Sequence, residues 1–316
     1  MAKQIRLMNS LRETGVVLAL GSGGARGMAH VGVLEVLAEV GIPIRAIVGS
    51  SIGAEIGALY AAGMNLPEMR HLVQDVDWKA TLRFFLPELG KGGVVTDKRI
   101  RAFLEPYLAN KNIQDLPISF AAIATDLYLG EQVVFDHGNM LDAVRASISI
   151  PGLLPPSKLQ GKILADGALV NPVPFDVARN LFGGPVIAVA VHTGATPAFY
   201  PIVPTDDWKG RLEAELKQSL LQHVPQLDPW IKLWDQKNHA EPSSEWGIGE
   251  IYSRAMDVSR AELMRLREQI SPPDFYIKPK VEHISMLEFY RGEEALKAGR
   301  VATEALVEKM HSLHQI

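Results

Sequence analysis

The chain has 316 residues, 47% hydrophobic and 22% charged, with 27 glycines, 20 prolines and no cysteine. This composition excludes a disordered chain and a disulfide scaffold, and zero cysteine also removes Cys-ligated zinc, iron–sulfur clusters and thiol nucleophiles. Lys and Arg total 32 against 36 Asp and Glu, a formal charge of -4, so no overall positive field favours nucleic acid.

The opening residues, MAKQIRLMNSLRETG, hold no apolar run of signal-peptide length and no small-residue cleavage site, so cytoplasmic residence is the default expectation. No window of about 18 apolar residues follows, and the richest stretch, 44–63, is broken by Arg45 and Glu55. A membrane-spanning helix is not expected; contact with a membrane would be peripheral, at its inner face.

From Gly15 to about Thr193 short apolar runs alternate with amphipathic segments, the pattern of an α/β sheet flanked by helices. In chain order, residues 16–20, 45–49, 120–124, 132–135, 163–165 and 186–191 read as strands. Residues 28–40, 54–62, 67–76, 97–108, 140–147 and 174–181 read as helices, with Gly41, Gly63 and Gly183 as stops. Near residue 194 the composition shifts to proline-rich stretches surrounding helical segments at 208–223, 250–269 and 285–311, with a strand at 274–278. A lone strand cannot bury itself, so Phe275, Tyr276 and Ile277 should return to the same sheet. The expectation is a core over 15–193 and a helical C-terminal extension over 194–316 packed on the same domain.

The first strand runs into Gly21-Ser22-Gly23-Gly24-Ala25-Arg26-Gly27 and then a helix. Glycines there free backbone N–H groups to face an anion beside a helix N-terminus. A dinucleotide loop fits badly, because the register ending at Gly27 begins with Ser22 and the second strand ends in Gly, Ser and Ser rather than an acid. That second strand enters Gly49-Ser50-Ser51-Ile52-Gly53, a G-x-S-x-G between strand and helix, the setting that holds a serine exposed on a sharp turn. Ser51 also reads as a plain N-cap. For an acyl-transfer serine, the N–H groups of residues 23–25 and of Ile52 would surround the oxyanion. Arg26 either braces the glycine loop or is a solvated helix-start residue. Asp166, at the end of the 163–165 strand before Gly167 and Ala168, is the candidate proton acceptor, although Asp-Gly between apolar runs is also a common hairpin turn.

GSGGARG, then GSSIG, then DGALVNPVP resemble in order and spacing the patatin-like phospholipase family, in its bacterial neuropathy-target-esterase-related branch. The resemblance is close over about 15–193, and PDFYIKP with the long helix after it looks like the same branch. It implies a three-layer α/β/α fold and a Ser/Asp dyad without histidine, acting on acyl esters of lipids. By motif, Ser51 is the nucleophile, Asp166 the base, and Gly23, Gly24 and Ala25 the oxyanion loop. Gly27, Gly49, Gly53, Gly167 and Ala168 belong to the same motifs. Many members carry Gly where this chain has Ser22.

The scheme needs no metal or cofactor, and no H-E-x-x-H or EF-hand pattern is present. Two alternatives stand beside it. One is a conventional Ser/His/Asp α/β-hydrolase, with His192 after the 186–191 strand as third member. The other is a non-catalytic lipid- or acyl-binding protein of the same fold. A stripe of Trp208, Leu212, Leu216, Leu220 and Val224, followed by Trp230 and Trp234, reads either as a membrane dock or lid or as ordinary packing.

Overall fold

Five consecutive apolar residues, Val16–Leu20, form β1, and all five are buried. A strand apolar on both faces belongs in the middle of a sheet covered on both sides. The computed structural model, which describes residues 2–76, 97–191 and 248–312, places it there. Parallel neighbours flank it, β2 (Ile44–Ser50) on one side and β7 (Val186–Val189) on the other. Outside β2 lies β3 (Ser119–Asp126), also parallel, and outside β7 lies β8 (Phe275–Ile277). The return of residues 275–277 to this sheet is what the sequence predicts.

Beyond the parallel centre the sheet turns antiparallel. β4 (Glu131–Phe135) forms a hairpin with β3, and β6 (Lys162–Asp166) pairs with the end of β3 and with β5 (Ser157–Leu159). Because β4 holds one edge of β3 over Ala122–Asp126, β2 and β6 must share the other: β2 runs up to Ser50 opposite Ile123, and β6 takes over at Asp166 opposite Ala124. Two strands arriving from opposite directions thus end head to head beside β3. That meeting point is the candidate site.

Alternate residues of the central strands feed two apolar clusters, one on each face. Val16, Leu18, Leu20, Ile47, Phe120 and Val189 join the larger. It is built with α1 (Ala2–Thr14), α2 (Ala29–Glu39), α3 (Ile52–Ala61), α4 (Leu66–Asp75), α5 (Asp97–Leu108), α6 (Met140–Ser147) and α9 (Gly292–Ser312). Val17, Ala19, Val48, Ile123 and Ala188 face the smaller cluster, closed by Phe175 of α7 (Phe175–Phe182) and Met264 of α8 (Ile248–Ile270). The fold is three layers, α/β/α.

Helix α9 lies against α2 at backbone distance. A Cβ on Gly32 would fall 2.1 Å from the Leu296 carbonyl oxygen, and one on Gly299 would fall 2.0 Å from that of Ala29. At the edge of this crossing Glu35, nearly buried, accepts from Arg70 of α4 and from Arg300 of α9.

The structure departs from the sequence reading in a few places. The last helix starts at Gly292 rather than 285, after a 3-10 turn, Phe289–Arg291. The residues before it bond instead to the glycine-rich loop, which overrides their helical pattern. β7 ends at Val189 rather than 191. The sequence pattern does not show α1 or β5, one offering only Met8 and Leu11 as fully apolar anchors among its described side chains, the other only three residues long. Residues 256–312 belong to the same unit as residues 2–191. Among the described residues no helix is long and apolar enough to cross a membrane. His192, the 208–224 stripe, Trp230 and Trp234 lie outside the described residues.

Candidate active site

Ser51 follows the last residue of β2 and occupies the N-cap position of α3, with φ 56° and ψ -126°. For a non-glycine residue this is a sparsely populated conformation costing on the order of 1–3 kcal/mol, held only when the surroundings enforce it. They do so by close approach: a Cβ on Gly53 would meet the Leu20 carbonyl oxygen at 2.2 Å, and one on Gly49 would meet the Ala54 backbone at 2.4 Å. The plain N-cap reading does not hold, since the Ser51 side chain makes no capping bond. Its hydroxyl points the other way and donates to Asp166 Oδ2 at 2.5 Å.

Asp166 closes β6. The hairpin reading of Asp-Gly is likewise not what forms: Gly167 opens a 3-10 turn, Gly167–Leu169, and Asp166 caps it by accepting from the Ala168 N–H at 2.8 Å through Oδ1. A Cβ on Gly167 would lie 2.3 Å from the Ile123 carbonyl oxygen, so only glycine lets the turn pass this close to β3. The backbone of Asp166 is fixed from both sides, its carbonyl accepting from Thr125 Oγ1 at 2.8 Å and its N–H donating to the Ser149 carbonyl at 2.9 Å. Ser51 and Asp166 are only 4% and 3% exposed. Burial raises the Asp166 carboxyl above its ordinary range, more than the hydrogen bonds from Ser51 and Ala168 lower it.

One anchor was not legible from motifs. The end of α6 holds both partners, since Ser147 Oγ accepts the Ser51 N–H at 2.9 Å and the Ser149 carbonyl accepts that of Asp166 at 2.9 Å. Arg145, fully buried, fastens this turn through Ser149 Oγ at 2.6 Å, Asp97 Oδ1 at 2.7 Å and the Pro155 carbonyl at 2.9 Å. The available sequence signal is an arginine set among apolar and small residues, Ala143-Val-Arg145-Ala-Ser-Ile148, because an arginine carried into a core by such a segment needs partners close by.

The glycine-rich loop turns at Gly24, φ 58°, into a 3-10 helix, Gly24–Met28. A Cβ on Gly27 would lie 2.2 Å from Ile52 Cγ2, so the loop packs directly on the start of α3. The N–H groups of Gly23, Gly24 and Ile52 bond to no other described residue. Ala25 differs from expectation, because its N–H already donates to the Met286 carbonyl at 2.9 Å. Arg26 braces the loop, donating through Nε to the Ile284 carbonyl at 2.6 Å. The Ser22 N–H donates to the Pro172 carbonyl at 2.9 Å, and its buried hydroxyl has no hydrogen-bond partner among the described residues. Below the loop His30, fully buried and pushed down to about 4 by desolvation, bonds the Gly21 carbonyl oxygen at 2.8 Å. Neutral His30 must therefore carry its proton on Nε2 to donate. Among the described residues no histidine bonds Ser51 or Asp166, and no cluster of three His, Asp or Glu is placed to hold a metal.

A strained serine at a strand–helix elbow is thus hydrogen-bonded to a buried aspartate, beside a glycine-rich loop, on a three-layer α/β/α sheet. The particular family follows from comparison with known proteins. The patatin-like phospholipase family matches residues 18–179. The chain is 30% identical to the uncharacterized NTE family protein Rv1063c of Mycobacterium tuberculosis, covering 92% of this chain and 91% of that one. To patatin-like phospholipase domain-containing protein 7 of Mus musculus it is 27% identical over 93% of this chain, though only 21% of the mouse protein is covered. The crystal structure of VipD from Legionella pneumophila shares the fold, with TM-score 0.56 at 15% identity, covering 94% of this chain and 67% of that one. The chain belongs to the patatin-like phospholipase family, in its NTE-related branch.

Proposed function

We propose that this protein hydrolyses acyl esters of lipids, of the phospholipid or lysophospholipid type, through a Ser51–Asp166 dyad. Family membership supports lipid acyl hydrolysis. The observation that carries the dyad is the 2.5 Å bond from Ser51 Oγ to Asp166 Oδ2. Asp166 takes the hydroxyl proton as Ser51 Oγ attacks the ester carbonyl, and the oxyanion receives hydrogen bonds from the N–H groups of Gly23, Gly24 and Ile52. Collapse breaks the ester C–O bond, Asp166 returns the proton to the departing alcohol, and Ser51 keeps the acyl group. Water, deprotonated by Asp166, then attacks the acyl-enzyme, and the proton returns to Ser51 as the fatty acid leaves. Burial is useful here, because a carboxylate at its ordinary pKa is a weak base for a hydroxyl, and the raised Asp166 is a stronger one.

Hydrolysis of a soluble short-chain ester tests the scheme. Ser51→Ala and Asp166→Asn should each lower kcat/KM by at least about 10³-fold, and His192→Ala should leave it within a few-fold of the parent. Loss of activity in a folded His192→Ala protein would contradict the dyad in favour of a triad. Activity retained in Ser51→Ala would remove the serine mechanism altogether.

A further inference from the structure

The β3–β4 hairpin carries three consecutive exposed apolar side chains, Leu127, Tyr128 and Leu129, at 47%, 82% and 63% exposure. Their place in the fold follows from strand register. Ser50, beside the candidate nucleophile, lies opposite Ile123. Asp126 is three residues, about 10 Å, further along β3. The hairpin tip therefore projects past the active-site end of the sheet.

Every backbone N–H of the tip is bonded within the protein. Leu127 donates to the Ile163 carbonyl at 2.9 Å, Tyr128 and Leu129 to Asp126 Oδ1 at 3.0 and 3.3 Å, and Gly130 to the Asp126 carbonyl at 2.9 Å. Asp126 Oδ2 is paired with Lys162 at 2.9 Å, which compensates the charge beneath the tip. Such a tip enters an apolar phase without exposing an unsatisfied N–H donor, each of which costs several kcal/mol there. Tyrosine, like tryptophan, favours the headgroup level, with its ring in the apolar layer and its hydroxyl in water.

We infer that Leu127, Tyr128 and Leu129 form the docking tip by which this protein seats its active-site end on a lipid surface. The inference rests on the proposed lipid-ester hydrolysis, which requires access to an aggregated substrate. A protein partner fits less well: three side chains offer about 400 Å² at most, half of what each side of a standard interface buries. A lipid surface needs no complementary shape. Exposed Lys158, on β5 beside the tip, adds a cation for lipid phosphate.

Vesicles of phosphatidylcholine mixed with phosphatidylglycerol provide the test, in the Ser51→Ala background so that binding is read apart from turnover. Adding Tyr128→Ser and Leu129→Ser should weaken vesicle partitioning at least about tenfold. The same two substitutions with Ser51 intact should leave hydrolysis of a soluble ester within about twofold. Because the chain has no cysteine, Leu129→Cys takes a single environment-sensitive fluorophore, whose emission should shift to the blue on adding vesicles. Equal partitioning with and without the two substitutions, or an unshifted label on vesicle-bound protein, overturns the inference. Conversion of a dimer to a monomer by the substitutions, with vesicle binding unchanged, also overturns it by assigning the tip to a second copy. Failure of the hydrolysis scheme would appear separately, as soluble-ester turnover that survives Ser51→Ala.

Discussion

Ser51 and Asp166 each sit in an arrangement that folding alone would not favour. The serine holds a strained backbone, and the aspartate is a buried carboxyl whose charged form is disfavoured by desolvation. Folded Asp166 retains its proton to higher pH than in the unfolded chain, so its contribution to stability falls as pH rises from the ordinary carboxylate range through its raised value. Asp166→Asn should therefore raise the thermal midpoint at neutral pH while removing activity, and a lowered midpoint would contradict this.

A second carboxyl behaves alike. Glu55, one turn past Ser51 on α3, is raised from 4.5 to about 7 by burial. Within that window the folded state holds a proton that the unfolded chain has released. His30, lowered from 6.5 to about 4, acts oppositely, its contribution being lost as pH falls through that range. Glu55→Gln should thus raise the midpoint relative to the parent more at about pH 7.5 than at about pH 5, read by thermal unfolding at the two values. At this scale the sequence makes Ser51 and Asp166 legible because each lies in a local strand–turn pattern. Ser147 is not legible in that way, standing 96 residues from the N–H it accepts. Nor is the bonded N–H of Ala25, whose acceptor, Met286, comes from the far end of the chain.

Among the elements, most boundaries follow from local pattern, and α5 and α6 match residue for residue. What local pattern cannot carry is which helices touch. Gly32 and Gly299 are of a residue type that weakens a helix taken by itself, yet they are where α2 and α9 meet backbone to backbone. Gly299→Val places a branched side chain where even a Cβ would lie 2.0 Å from the Ala29 carbonyl oxygen. It should destabilise the protein by at least about 1–3 kcal/mol in denaturant unfolding, whereas Val301→Ala, at an exposed position of the same helix, should change little.

For the whole molecule, the family match over residues 18–179 understates what the fold requires. β8 completes the sheet beside β7, α9 covers α2, and residues 284–286 hold the glycine-rich loop through Arg26 and Ala25. A chain ending at Ile270 would uncover the apolar face of α2 and the hydrogen-bonding edge of β7 and should fail to fold, visible as lost near-ultraviolet circular dichroism and aggregation. The most direct test of the Ser51–Asp166 account is the site and rate of covalent labelling by a fluorophosphonate, mapped by mass spectrometry of the digested protein. The account predicts a single adduct on Ser51, slowed at least about 10³-fold in Asp166→Asn and formed at the parent rate in His192→Ala. An adduct on another residue, unslowed labelling of Asp166→Asn, or its loss in folded His192→Ala would contradict it.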